Sequence, residues 1–78
     1  MKAKLSRSTY KKDEQTIIIV MITHVNDDTL RSNLAALGFS SMPDLSNSYS
    51  IELVYTAREQ MAKVQAGLMG LRAQGFVD

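Results

Sequence analysis

Thr16-Ile17-Ile18-Ile19-Val20-Met21-Ile22-Thr23 is the stretch whose reading decides the fold. It is nearly continuous apolar and rich in β-branched side chains. A segment of this kind reads as a strand that is covered on both faces or central in a sheet. The next segment, His24-Val25-Asn26-Asp27-Asp28, is polar and turn-like. Asn26 or Asp27 can cap a helix, and acids suit the positive end of its dipole. Leu30, Leu34 and Leu37 then recur at helical spacing, Ala35 and Ala36 favour helix, and Gly38 stands where a helix stops. Residues 40–47, with Pro43, read as a loop or a short edge strand.

A second unit repeats the pattern. Ser48 to Tyr55 alternates, with Tyr49, Ile51, Leu53 and Tyr55 on one side and Ser50, Glu52 and Val54 on the other, as a half-buried strand does. Thr56-x-x-Glu59 matches a capping box. Ala57, Met61, Val64, Leu68 and Leu71 form one helical stripe, and Gly75 can terminate it. Gly67 and Gly70 lie inside that helix, where each weakens it by roughly 1 kcal/mol relative to alanine. They would allow close packing on the sheet. The expected fold class is α+β, a ferredoxin-like split βαβ sandwich with two helices on one face of an antiparallel sheet. Its last strand is short or missing, because only Phe76-Val77-Asp78 comes after the second helix. The segment Ala3 to Tyr10 or a partner chain would supply that edge. Residues 1–13 are accordingly read as a basic N-terminal arm or edge strand, and residues 14–78 as a single α+β domain.

Composition bounds the function. Seventy-eight residues make one small domain, with 45% apolar and 22% charged residues. So small a core is only marginally stabilising, and dimerisation is a usual remedy. The chain has no cysteine, which excludes disulfides and thiolate zinc sites and fits a cytoplasmic location. The longest apolar run, Ile17 to Ile22, falls far short of the roughly 20 residues that cross a membrane. A basic start resembles the opening of a signal peptide, but the apolar segment is too short for one. No membrane association is expected.

Net charge is +1, yet Lys2, Lys4, Arg7, Lys11 and Lys12 all precede the first acid, Asp13. Such an arm either contacts phosphate, releasing counterions, or is a solvated terminus. Lys4, Arg7, Lys11 and Lys12 are the candidate RNA-binding cations, with Tyr49 as a base-stacking aromatic or a core residue. No glycine-rich phosphate loop, nucleophile elbow or His-x-x-x-His pair occurs. Neither a cofactor nor a metal centre is expected. His24, at a strand end, is either a general base or a surface group. Asp27 and Asp28 either hold a magnesium ion or cap the helix. Arg31 is the candidate catalytic residue, since a guanidinium near the first turn of a helix can bind phosphate bidentately and stay charged.

One short pattern adds to this. Leu30-Arg31-Ser32, six residues, Phe39-Ser40-Ser41-Met42, and then Asn47-Ser48-Tyr49-Ser50-Ile51 resemble the GhoS antitoxin family over roughly residues 14–72, with gaps. Thr16-Ile17-Ile18-Ile19 is similar to that family's first strand in character. The resemblance implies a small cytoplasmic ferredoxin-like endoribonuclease, akin in fold to the CRISPR adaptation nucleases, that cuts the messenger RNA of a membrane-lytic toxin. It implies that Arg31, on the family's LRS arginine, is catalytic or RNA-binding, and that single-stranded RNA is the substrate. The chain departs from the pattern in three places. Met21-Ile22-Thr23 stands where the family has an acid, the segment between Met42 and Asn47 is shorter, and the last strand is lacking. The alternative reading is a non-enzymatic homodimeric interaction module of the same fold, its open sheet edge available for pairing.

Overall fold

The computed structural model describes residues 2–78. The elements are β1 (Lys4–Lys12), β2 (Gln15–Thr23), α1 (Asp28–Leu37), β3 (Ser40–Ser41), β4 (Tyr49–Val54) and α2 (Arg58–Ala73). The strands form one four-stranded sheet in the order β1-β2-β4-β3, every neighbouring pair antiparallel. The chain is thus α+β, with an open antiparallel sheet and two helices. The N-terminal arm is neither frayed nor merely solvated. Its nine strand residues pair with β2 from Lys4↔Thr23 to Lys12↔Gln15 and supply a sheet edge. The first residue of the arm lies outside the described residues.

The β1–β2 hairpin closes through Asp13 and Glu14, whose φ angles are +52° and +66°. Two-residue turns with both centres left-handed match the twist of paired strands, and asparagine–glycine is their usual sequence. Here two acids take that conformation without glycine. After α2 the stub does not become a strand. Val77 makes one parallel bridge with Ala3, carried by Ala3 N–H to Phe76 O at 3.1 Å and Asp78 N–H to Ala3 O at 3.0 Å. Both Ala3 and Val77 are buried.

Strand β2 is central, between β1 and β4, but it is covered on one face only. Val20 and Ile22 join Ile51 and Leu53 of β4 in a core with Leu30 and Leu34 of α1 and Val64, Leu68 and Leu71 of α2. The register puts Ile18 opposite Leu53, Val20 opposite Ile51 and Ile22 opposite Tyr49, so these residues share the helix-covered face. Ile17, Ile19 and Met21 point the other way.

Asp27, not Asn26, is the N-cap of α1, its Oδ1 accepting the Leu30 N–H at 3.1 Å. Gly38 ends α1 at φ +103°, with Gly38 N–H bonded to Ala35 O and Phe39 N–H to Leu34 O, each at 3.0 Å. That pair of bonds is a Schellman motif, and it brings buried Phe39 back against buried Leu34. Helix α2 ends the same way, Gly75 N–H reaching Arg72 O and Phe76 N–H reaching Leu71 O. Its start differs from expectation. Ala57 is the N-cap and no side chain caps it, so the Thr56–Glu59 box is not formed. The chain makes a tight backbone bond from Arg58 N–H to Thr56 O instead, which moves the helix start one residue on. Gly67 serves the other helix and not the sheet. A Cβ there would lie 2.5 Å from Leu37 Cδ2 of α1, whereas Gly70 faces open space. Tyr55 falls beyond β4 and is exposed, so the alternating side ends at Leu53.

Candidate functional site

Arg31 sits one turn into α1, where the cap at Asp27 directs the helix away from the end of β2. Its guanidinium is held by the protein itself. Nη1 donates to Asp28 Oδ1 at 2.6 Å, and Nη2 donates to Val25 O at 3.1 Å and to Asn47 Oδ1 at 3.4 Å. The same two loops are already joined by Val25 N–H to Asn47 O at 2.9 Å. Arg31 therefore clips the loop before α1 to the loop before β4. The Arg31 side chain is 34% exposed and Asp28 97%, so the ion pair is a surface one. The Nε–H and one Nη1–H of the fork have no partner among the described residues. Asn47, at φ +57°, and buried Ser48, whose Oγ donates to Ser46 O, shape the loop that meets the clip.

The acids beside it are occupied. Asp27 Oδ1 caps the helix and Asp28 Oδ1 pairs with Arg31. Among the described residues, no group of three or more histidines, cysteines or acids could hold a metal ion. His24 is exposed, at φ +62°, with its Nδ1 3.0 Å from Thr23 Oγ1.

The candidate RNA-binding residues do not converge. Side chains alternate along β1, so Lys4 and Lys12 fall on one face and Arg7 and Lys11 on the other. Lys4 and Lys12 are eight positions apart, about 26 Å along an extended strand. Tyr49 is half-buried and packs against the core on the helix-covered face, so its ring is not presented for stacking. The aromatic on the open face is Tyr10, whose OH donates to Glu52 Oε2 at 3.1 Å. Its phenol is held above its ordinary value, first by partial burial, then by that hydrogen bond and by the Glu52 charge.

With both helices on one face, as the sequence pattern implied, the other face of the sheet is left open, and its register shows what lies on it. Register sets Tyr10, Ile17 and Val54 in one row, Ser8, Ile19 and Glu52 in the next, and Ser6, Met21 and Ser50 in the third. Neither α1 nor α2 covers them, since both pack on the opposite face. Ile17, Ile19, Met21 and Val54 make a continuous apolar stripe, and Ile17 is only 7% exposed because Tyr10 and Val54 flank it. Its apolar character could be read from β2, whose side chains are apolar on both alternating sides. Among the described residues, no helix is long and apolar enough to cross a membrane. No family model, curated protein or solved structure matches this chain.

Proposed function

We propose that this chain is a non-enzymatic protein-interaction module that works as a homodimer through its open sheet face. The observation that carries the reading is the stripe Ile17, Ile19, Met21 and Val54, apolar and without a covering layer. A second copy fits it on two counts. A two-fold interface must be self-complementary, and this face bears cations at Lys4 and Lys12 and an anion at Glu52. With net charge +1, two copies do not repel strongly. The frame is read as a ferredoxin-like split βαβ in which β1 stands where the last strand of that fold would run. Supporting this, β2 and β3 run parallel with β4 antiparallel between them, and α1 connects the first two. A cysteine-free chain of this kind suits the cytoplasm. Sedimentation at rising concentration tests the reading: wild type is expected as a dimer and Ile19→Lys as a folded monomer. A wild type that stays monomeric at several hundred micromolar overturns it.

A second reading keeps the RNA-directed endoribonuclease, with single-stranded RNA as substrate and Arg31 at the phosphate. The observation in its favour is the pair of unpartnered N–H donors on the Arg31 fork, which suit a phosphate oxygen. Incubation with a mixed single-stranded RNA pool, with and without EDTA, tests it. EDTA-insensitive cleavage that is lost in Arg31→Lys with the fold retained supports this reading. Absence of both cleavage and RNA retention removes it.

A further inference from the structure

On the helix-covered side, α2 does not reach across β1. Between them runs a groove of about 590 Å³, within the range of small-molecule sites. Its floor is apolar, built from Val20 and Leu53 of the core with Ile18 and Leu5 beside them. One wall carries Met61, Val64 and Leu68 of α2 and ends in Met69, which is 62% exposed. Methionine is unbranched and polarisable, and it adapts to an apolar guest. Exposure of so large a side chain at the lip of an apolar groove leaves surface for a ligand to cover.

The polar residues of the groove have one sign. Arg7 from β1 and Arg72 from α2 both line it, joined by Gln65 and Thr9, and no acid does. Among the described residues neither arginine makes an ion pair, in contrast to Arg31. Two guanidiniums on opposite walls of a groove with an apolar floor match a guest that is apolar along its body and anionic at its head. Such a guest gains from apolar burial and from charge-assisted hydrogen bonds with a planar fork.

We propose that the groove between β1 and α2 binds an amphipathic organic carboxylate, its chain on Val20, Leu53 and Leu68 and its head between Arg7 and Arg72. This site lies on the opposite face of the sheet from the proposed dimer surface and stands independently of it. The apolar wall sets the body of the ligand, and the arginines set its charge.

The probes are decanoate and decyltrimethylammonium, each below its micelle concentration, and decanol below its solubility limit, titrated into the full chain. Amide chemical shifts locate the site and calorimetry gives affinity. Decanoate is expected to shift residues of β1 and α2, to bind about tenfold more tightly than decanol, and to outbind the cation by more. Arg7→Gln and Arg72→Gln, both at exposed positions, are each expected to reduce decanoate affinity about tenfold and leave decanol unchanged. Met69→Asp is expected to weaken decanoate further. Equal affinity for decanoate and decanol overturns the proposal. So do shifts confined to Ile17, Ile19 and Met21, unchanged decanoate affinity in both arginine variants, or no binding at all. Sedimentation of the same samples reads the dimer separately, so failure of one proposal leaves the other standing.

Discussion

Replacing Arg31 by alanine is expected to destabilise the fold, and the size can be worked from its contacts. The ion pair with Asp28 is exposed on the acid side, so it contributes only a few tenths of a kcal/mol. The bond from Nη2 to Val25 O at 3.1 Å is partly buried and charge-assisted, worth about 1.5 kcal/mol. The contact with Asn47 Oδ1 at 3.4 Å is long and adds little. The sum is about 2 kcal/mol, which for a domain of this size lowers Tm by about 10 °C. Asp28→Asn removes only the weak pair and is expected to shift Tm by about 3 °C or less. Thermal unfolding measured by circular dichroism, with urea unfolding for the free energy, reads both. A Tm for Arg31→Ala within about 2 °C of wild type refutes the reasoning, because the clip between the two loops then contributes nothing to stability. The result bears on any activity assay. If alanine loosens the loops, lost cleavage in that variant does not identify a catalytic arginine, whereas Arg31→Lys keeps the charge and removes the planar fork.

Gly38→Ala and Gly70→Ala should have opposite signs. The first forces a side chain into φ +103° with its Cβ 3.2 Å from Ile51 Cδ1 and should cost about 1–2 kcal/mol. The second adds a methyl to open space on a helix and should stabilise by about 0.8 kcal/mol, both read from urea midpoints. Glu14→Gly relieves a left-handed glutamate at φ +66° in the β1–β2 turn and should raise stability by about 1 kcal/mol; a lower Tm would show that the turn is not of that type. Tyr10 should ionise above pH 10 in an absorbance titration at the phenolate band, and Glu52→Gln should bring the midpoint down. Because the unfolded chain releases that proton first, stability should fall as pH rises beyond 10, and a flat profile there would contradict the raised value.

Local signals carried the parts of the fold whose partners are close in sequence. Helix α1 was legible because its cap at Asp27, its stripe at Leu30 and Leu34, and its stop at Gly38 all fall within twelve residues. The alternation of β4 was legible for the same reason. The Thr56–Glu59 box failed although its spacing is right, because a backbone bond at Thr56 displaces the cap by one residue. Strand β1 was only half legible. Lys4–Lys12 has one aliphatic side chain, Leu5, and one aromatic, Tyr10, and its turn lacks glycine, so its strand character comes from pairing with β2 and not from its own pattern. The site divided in the same way. That Arg31 stands near the start of a helix could be read from spacing. That its fork is held by Val25 and Asn47 could not, since Asn47 is sixteen residues away and arrives through the packing of β4 beside β2. The basic arm shows the consequence most directly. Five cations before the first acid suggest one charged surface only while the segment is imagined as a tail. Once it is a strand, a period of two sends Lys4, Tyr10 and Lys12 to the open face and Arg7 and Lys11 to the helix side. The same alternation that dissolves a continuous phosphate-binding arm is what turns Arg7 toward the groove and Arg72.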